Sequence, residues 1–330
     1  MKVRASSPIV IELIRGALLL GKFDLQLSWS GWEAEVDERV VKDALEKAAA
    51  LAGDERLMTV RNDAKPLGRL MLNCFGVERQ VEALGELLDL ALQNLDKLEG
   101  CGEEDAPKLA IMKAEYYENT KTPMMLSDNE VMADALTVAL AYAGSVWNLG
   151  NVRVGPRDFR AFFLVPVALY SDAIDFLKDA RLGKGEKRKR LLPSYATYDW
   201  ALALWMAVNF DVNGVFRVLY VEGGMNRINV RPSMTIDLAA ERAAVEKVFG
   251  DRFGDAKDYL ISVLNNVLSD GPDPLAIRFT NALYQVAHHS LPAVELKNLG
   301  LREFASLLSA KSEIPPVVKQ MGRVAQLVKV

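Results

Sequence analysis

Histidine and cysteine are scarce in this chain of 330 residues, with two of each. His288 and His289 are adjacent, so on a helix they would point about 100° apart and would not chelate one metal ion together. We expect them at a helix C-terminus, where a cation is favoured, with ligand binding or proton transfer as the alternative. Cys74 lies among apolar neighbours in LMLNCFG and is expected in the core. With Cys101 it makes too few thiols for a disulfide framework or a thiolate zinc site.

The sequence also lacks the motifs of the common catalytic classes. It contains no GxxxxGK[ST] phosphate loop, no GxGxxG after a strand, no HExxH and no GxSxG. Glu103 and Glu104 are expected to be solvated in a loop, and Asp172 and Asp175 have no third metal ligand at a useful spacing. We therefore expect no enzymatic activity, no metal and no cofactor. An enzyme site assembled from scattered carboxylates is the alternative.

Long uncharged apolar runs are missing as well. No stretch reaches the roughly 18 residues that a membrane span requires, and Glu12 and Arg15 interrupt the apolar N-terminal segment. Half of the residues are hydrophobic and 25% are charged, which is typical of a globular protein. The sequence thus predicts neither a membrane span nor a signal peptide, and the expected compartment is the cytoplasm.

Helical spacing of apolar residues dominates what is present, so the predicted fold class is mainly α (α+β). The alternating run from Lys22 to Trp29 predicts a half-buried strand, and β-rich runs on both sides of EGGMN predict a hairpin near 215–231 that ends at Pro232. These strands would form a small antiparallel sheet. Residues 8–20 are expected to form a buried helix or a helix end. The other predicted helices cover 37–52, 77–98, 127–147, 159–181 (bent or begun afresh at Pro166), 197–210, 236–249, 255–268 and 274–290, with shorter ones near 301–310 and from Pro315-Pro316.

The turn-rich segment NLGNVRVGPRD (148–158) favours a boundary near the middle of the chain. It would separate a helical part with one strand, residues 1–150, from a part that carries a basic loop and the hairpin, residues 151–330. One continuous domain is the alternative.

Positive charge is concentrated in one place. The segment from Arg181 to Arg231 has nine Lys/Arg and four Asp/Glu, hence a charge of +5, while the other 279 residues carry −9. Its basic loop, GKGEKRKRLL (183–192), is expected to be exposed, and such cations bind phosphates without regard to base sequence. A solubilising loop is the alternative. The candidate nucleic-acid-binding residues of the loop are Lys184, Lys187, Arg188, Lys189 and Arg190.

The predicted hairpin adds a second group of candidates, namely Arg217, Asn226, Arg227 and Arg231. Guanidinium and amide groups read base edges or bind phosphates, and the two glycines of GGMN let backbone N–H groups approach a ligand. The alternative is that these arginines pair with acidic surface residues. The aromatic residues of SYATYDW (194–200) are expected in the core rather than stacked on bases.

The run LLPSYATYDWALALWMAVNFDVNGVFRVLYVEGGMNRINVRP, with the basic loop ahead of it, resembles the large subunit of the archaeal type I-A CRISPR effector complex (Cascade). The resemblance covers about residues 183–232. It implies a non-catalytic subunit of an RNA-guided DNA-surveillance complex, which helps to check the duplex motif beside the target and holds DNA as the R-loop opens. The implied partners are the other effector subunits, CRISPR RNA-guided target DNA and a helicase–nuclease. The alternative is an α-helical scaffold whose basic loop docks an acidic protein without touching nucleic acid.

Overall fold

The computed structural model describes residues 1–5, 7–22, 25–52, 55–112, 115–116, 133–153, 159–169, 198–210, 213–223, 228–269, 271–309 and 314–329. Within these residues the fold is mainly α with small sheets, as the sequence predicts. None of the described helices is long and apolar enough to cross a membrane. The chain groups into two compact units, one of residues 1–181 and 216–235 and the other of residues 182–215 and 236–330. The division of the chain into two domains near residue 150 stays a prediction.

The first unit is built around a helix that is buried on every side. This helix, α6 (Ala135–Gly144), is apolar except for Thr137 and Tyr142. It packs against α1 (Pro8–Gly21). The helix α2 (Glu38–Ala52) packs against α1 and against α4 (Leu84–Gln93). Ser7 caps α1 by accepting a hydrogen bond from the Val10 N–H, and Pro8 occupies the first turn, where its missing N–H costs nothing. The helices of this unit are α1 (Pro8–Gly21), α2 (Glu38–Ala52), α3 (Ala64–Phe75), α4 (Leu84–Gln93), α5 (Leu95–Leu98) and α6 (Ala135–Gly144).

Two sheets accompany these helices. In the small one, β1 (Lys2–Arg4) pairs antiparallel with β2 (Glu33–Glu35). The larger sheet has the order β3-β7-β6-β5-β4, in which β4 and β5 are antiparallel and β3 and β7 are parallel. Its strands are β3 (Glu115–Tyr116), β4 (Asn148–Arg153), β5 (Phe159–Leu169), β6 (Gly214–Gly223) and β7 (Ile228–Asp237).

The second unit is a helical bundle. The helix α9 (Phe253–Val267) packs against α7 (Asp199–Asn209) and α12 (Pro316–Leu327), and α11 (Ala293–Ser309) packs against α12. Asp237 and Asp273 cap α8 (Leu238–Phe249) and α10 (Pro274–Ala287) by accepting backbone N–H groups of the first turn. The helices are α7 (Asp199–Asn209), α8 (Leu238–Phe249), α9 (Phe253–Val267), α10 (Pro274–Ala287), α11 (Ala293–Ser309) and α12 (Pro316–Leu327).

Several predicted elements are confirmed. The helices predicted over 37–52, 197–210, 236–249, 255–268 and 274–290 all form, within a few residues at each end. Strands β6 and β7 lie on both sides of the predicted turn and are neighbours in the sheet. The predicted start of a helix at Ser127 lies outside the described residues; the described helix α6 begins after Asp134, which caps it.

Other predictions are wrong. Residues 159–169 form a strand and not a helix, because FRAFFLVPVAL is a short apolar run rich in aromatic and β-branched residues, for which spacing alone does not separate strand from helix. Part of the supposed break, 148–153, is the strand β4 that pairs with it. The helix predicted from residue 77 begins at Leu84. Residues 25–29 are not a strand, and β7 continues through Pro232, since proline fits extended backbone and costs one N–H.

The two cysteines form a disulfide bond, which the sequence argument did not predict. Cys74 on α3 is buried, as expected, but its sulfur is bonded to Cys101 in the segment after α5. The same segment is held by other contacts: the Asp134 carboxylate accepts the Gly100 N–H at 2.9 Å, and the Arg69 Nε donates to Asp105 at 2.9 Å. The segment of Glu103 and Glu104, which we expect to be a loop, is therefore fixed to the helices around it.

Candidate nucleic-acid interface

Most of the predicted nucleic-acid-binding residues lie outside the described part of the chain. These are the loop residues Lys184, Lys187, Arg188, Lys189 and Arg190 and the turn residues Asn226 and Arg227. Arg217 lies on β6 and Arg231 on β7, so the structure brings these two residues onto neighbouring strands. Among the predicted residues, Arg217 is the one whose side chain the structure describes.

Arg217 occupies a position that the core holds in place. Its neighbour Phe216 is fully buried and lies 6.3 Å from the Trp147 ring, measured between ring centres. The Trp147 indole N–H donates to the Gly16 carbonyl of α1 at 2.9 Å, which ties the sheet to that helix. Arg217 points away from this packing, and 40% of its side chain is exposed. Because the buried Phe216 fixes the backbone beside it, the partly exposed Arg217 is held in one position, which favours the binding of an anion.

The guanidinium of Arg217 is paired with Glu12 of α1. Its Nη1 donates to the Glu12 Oε1 at 2.6 Å, and the Glu12 side chain is only 13% exposed. Arg15, one turn further along α1, donates to the other oxygen of the same carboxylate. The alternative that we set out for the hairpin arginines, pairing with an acid, thus describes Arg217 in this structure. The cluster of Glu12, Arg15 and Arg217 nevertheless keeps one net positive charge.

This arrangement can bind a phosphate in addition to the carboxylate. A guanidinium has five N–H donors in a planar fork, and the bond to Glu12 uses Nη1 of Arg217. The buried Nε of Arg15 has no hydrogen-bond partner among the described atoms. Sequence reasoning identified Arg217 but missed Glu12, because the two residues are 205 positions apart and no local spacing links them.

The two histidines lie at a helix C-terminus, as the sequence predicts. His288 is the C-terminal cap of α10, and its Nε2 lies 3.0 Å from the Glu241 carboxylate and its ring 4.3 Å from Tyr284. Glu241 is buried on α8. The pKa of Tyr284 is raised, first by the burial of its own hydroxyl and then by the negative charge of Glu241. The sequence could have indicated this pair: Glu241 lies at helical spacing between Leu238 and Val245, so it falls on the buried face of the helix and needs a partner there.

Two buried carboxylates serve the backbone rather than a reactive site. Asp63 accepts the N–H groups of Val60 and Ala110, both at 2.8 Å, and burial raises its pKa. Asp134 accepts the Gly100 and Thr137 N–H groups, and burial raises its pKa as well. Their oxygens are occupied by amides, so neither carboxylate has the arrangement of a general acid or base. In the described ranges, no three His, Cys, Asp or Glu side chains are grouped to hold a metal; Asp172 and Asp175 lie outside those ranges.

Comparison with known protein families gives a match over most of the chain. The family model described as "CRISPR-associated protein, CsaX" matches residues 34–304. The matched range includes the basic loop, both strands of the hairpin and helices of both units. No curated protein matches the sequence.

Proposed function

From the premise that this chain belongs to the CsaX family of CRISPR-associated proteins, we propose that it is a non-catalytic, DNA-contacting subunit of an RNA-guided surveillance complex. The observation that carries the proposal is the separation of charge within the family match: residues 181–231 carry +5 and the remaining chain carries −9. In such complexes the guide RNA supplies sequence specificity by base pairing. A protein subunit then needs phosphate contacts and few base contacts, which lysines and arginines supply.

The resemblance of residues 183–232 to the large subunit of the archaeal type I-A complex supports a more specific form of the proposal. The chain would contact the duplex motif beside the target and hold DNA strands during R-loop formation, in the cytoplasm. Its partners would be the other effector subunits, CRISPR RNA-guided target DNA and the helicase–nuclease that cuts it. The acidic remainder of the chain would face those protein partners or solvent.

The first test concerns the basic loop. We expect that replacing Lys187, Arg188, Lys189 and Arg190 with alanine weakens binding of a target duplex about 10- to 100-fold at low salt, because each lysine or arginine that neutralises a phosphate releases a counterion. The slope of the logarithm of affinity against the logarithm of salt concentration should flatten by about 0.9 for each lost phosphate contact. Fluorescence anisotropy of the assembled complex over a salt series measures both.

A matched control removes four exposed cations elsewhere, by the substitutions Arg39→Ala, Lys42→Ala, Lys65→Ala and Arg79→Ala, all in the first unit. If both variants lose the same affinity, net charge rather than the loop explains the effect. An unchanged affinity and salt slope in the loop variant would contradict the assignment of the loop.

The second test uses the Glu12–Arg217 pair. If DNA phosphates bind Arg217, they compete with the Glu12 carboxylate, so Glu12→Gln should raise DNA affinity about threefold by removing one buried negative charge. Arg217→Ala should lower affinity by a similar factor. Equal affinities for the wild type and both variants would show that the pair is only structural. Thermal unfolding of each variant separates a loss of folding from a loss of binding.

Membership in a complex is tested by purification of the tagged chain from its native host. We expect CRISPR RNA and the backbone subunits to co-purify with it. Recovery of an acidic protein without any nucleic acid would instead support the scaffold alternative, in which the basic loop docks a protein.

A further inference from the structure

A second cationic surface lies among residues 244–329 of the helical unit. It is a concavity of about 420 Å³, which lies within the range of about 300–1,000 Å³ that is usual for ligand pockets. The end of α8, the turn between α10 and α11, and the segment after α12 form its walls. Lys247, His289 and Lys329 line it together with Ser290, and no carboxylate of the described residues does. Its floor is apolar and includes the buried Val248 and Val286.

The two lysines are brought together by the backbone. The Lys329 N–H donates to the Val248 carbonyl at 2.8 Å, which holds the segment after α12 against the last turn of α8, where Lys247 lies. Glu246, the acid next to Lys247, already accepts a hydrogen bond from Arg242 at 2.9 Å. Lys247 and Lys329 are both exposed, and both line the concavity.

His289 has an unusual backbone conformation. Its φ is +59°, the one positive φ among the described non-glycine residues. The N–H of His289 bonds to Val286 and that of Ser290 to Gln285, which is the hydrogen-bond pattern of a Schellman motif at the end of α10. Glycine is the usual residue at this position, because a side chain there is strained. A histidine that accepts this strain, with its side chain lining a cationic concavity, points to a role for the imidazole in binding.

We propose that this concavity binds a phosphate group. Two ammonium groups, an imidazole and a hydroxyl supply the donors that phosphate oxygens accept, and the apolar floor suits a sugar or base edge. The source of the phosphate is either a nucleic-acid strand or a free nucleotide or phosphate ion. The nucleic-acid source rests on the proposed function, since it would add a second contact to the strand that the basic loop holds.

The competing explanation is that the lysines only stabilise the C-terminus of α8, where cations are favoured by the helix dipole. The double variant Lys247→Gln/Lys329→Gln separates the two. If the concavity binds phosphate, the affinity of the full chain for a labelled 20-nucleotide poly(dT) strand should fall roughly tenfold, and the salt slope should flatten by about 0.7 for each lost contact. The matched control, Arg302→Gln/Lys319→Gln, removes two exposed cations that do not line the concavity and should stay within about twofold of the wild type.

The variant His289→Gly gives a readout that a structural role would not produce. Glycine relieves the backbone strain, so the Tm should rise by about 2 °C or more, while affinity for poly(dT) falls about threefold. A rise in Tm with unchanged binding of every probe would contradict a role for the imidazole.

Parallel titrations with AMP and with inorganic phosphate identify the source. Loss of AMP or phosphate binding in the lysine variant, with poly(dT) binding unchanged, would support a site for a free phosphate compound. If the lysine variant binds poly(dT), AMP and phosphate as the wild type does, or the wild type binds none of them, the proposal is overturned. Failure of the proposed function is recorded separately, by the alanine variant of residues 187–190 with a target duplex.

Discussion

Replacing Gly144 with alanine should lower the free energy of unfolding by about 3 kcal/mol or more. Gly144 is the last residue of α6, and it lies directly against the backbone of α1. A Cβ atom there would lie 2.0 Å from the Leu13 carbonyl oxygen and 2.6 Å from its carbon. Because these are backbone atoms, no rotamer change relieves the clash, and the two buried helices would have to separate.

The expected effect extends to the candidate interface. Leu13 follows Glu12 on α1, so a shift of that helix moves the carboxylate that pairs with Arg217. We therefore expect the Gly144→Ala variant, where it folds, to lose stability and to change in DNA affinity in the same direction as Glu12→Gln, because a displaced carboxylate competes less with phosphates for Arg217. Chemical denaturation gives the stability from the midpoint and the slope.

Gly68→Ala is the matched control for this substitution. Gly68 is also a helical glycine, on α3, but no atom lies within 4 Å of a Cβ built there and the residue is exposed. Alanine should stabilise the protein at this position by about 0.5–1 kcal/mol, since it reduces the freedom of the unfolded chain. If Gly144→Ala falls within 1 kcal/mol of the wild type, the close approach of α1 and α6 is wrong.

The parts of the fold that could be predicted are those that local spacing determines. The helices α8, α9 and α10 follow from apolar periodicity bounded by Asp237, Asp273 and glycines, which fix the ends of helices. The hairpin strands follow from β-rich runs on both sides of a glycine turn. The strand at 159–169 could not be separated from a helix in this way, because a buried strand is apolar on both faces and shows no alternation.

The candidate interface depends on contacts that join distant parts of the chain. The charge of residues 181–231 could be seen in the composition, and it drew attention to Arg217, whose side chain is 40% exposed. Its partner Glu12 was identified only as a charged residue that interrupts the apolar N-terminal segment. Similarly, the positive φ of His289 could not be predicted from the sequence, because the Schellman motif depends on where α10 ends.

Removing the disulfide between Cys74 and Cys101 should lower the free energy of unfolding by about 3.5 kcal/mol. The two residues are 27 positions apart, and closing a loop of that length in the unfolded chain removes conformational entropy of this size. The folded structure should change little, because the Asp134–Gly100 and Arg69–Asp105 contacts hold the same segment. The loss of stability therefore arises mainly from the greater conformational entropy of the unfolded chain without the bond.

The variant Cys74→Ala/Cys101→Ala and a reductant provide two routes to the same measurement. Reduction should lower the stability of the wild type towards that of the double variant and should leave the variant unchanged, which separates the bond from the loss of sulfur packing in the core. The Arg69→Lys variant, which keeps a cation beside the buried Asp105, should cost about 1 kcal/mol, less than the loss of the disulfide, because the Arg69 side chain is 43% exposed. Equal stability of the wild type with and without reductant would contradict the bond. A cost near 1 kcal/mol in the double variant would mean that the bond removes less conformational entropy from the unfolded chain than its loop length implies.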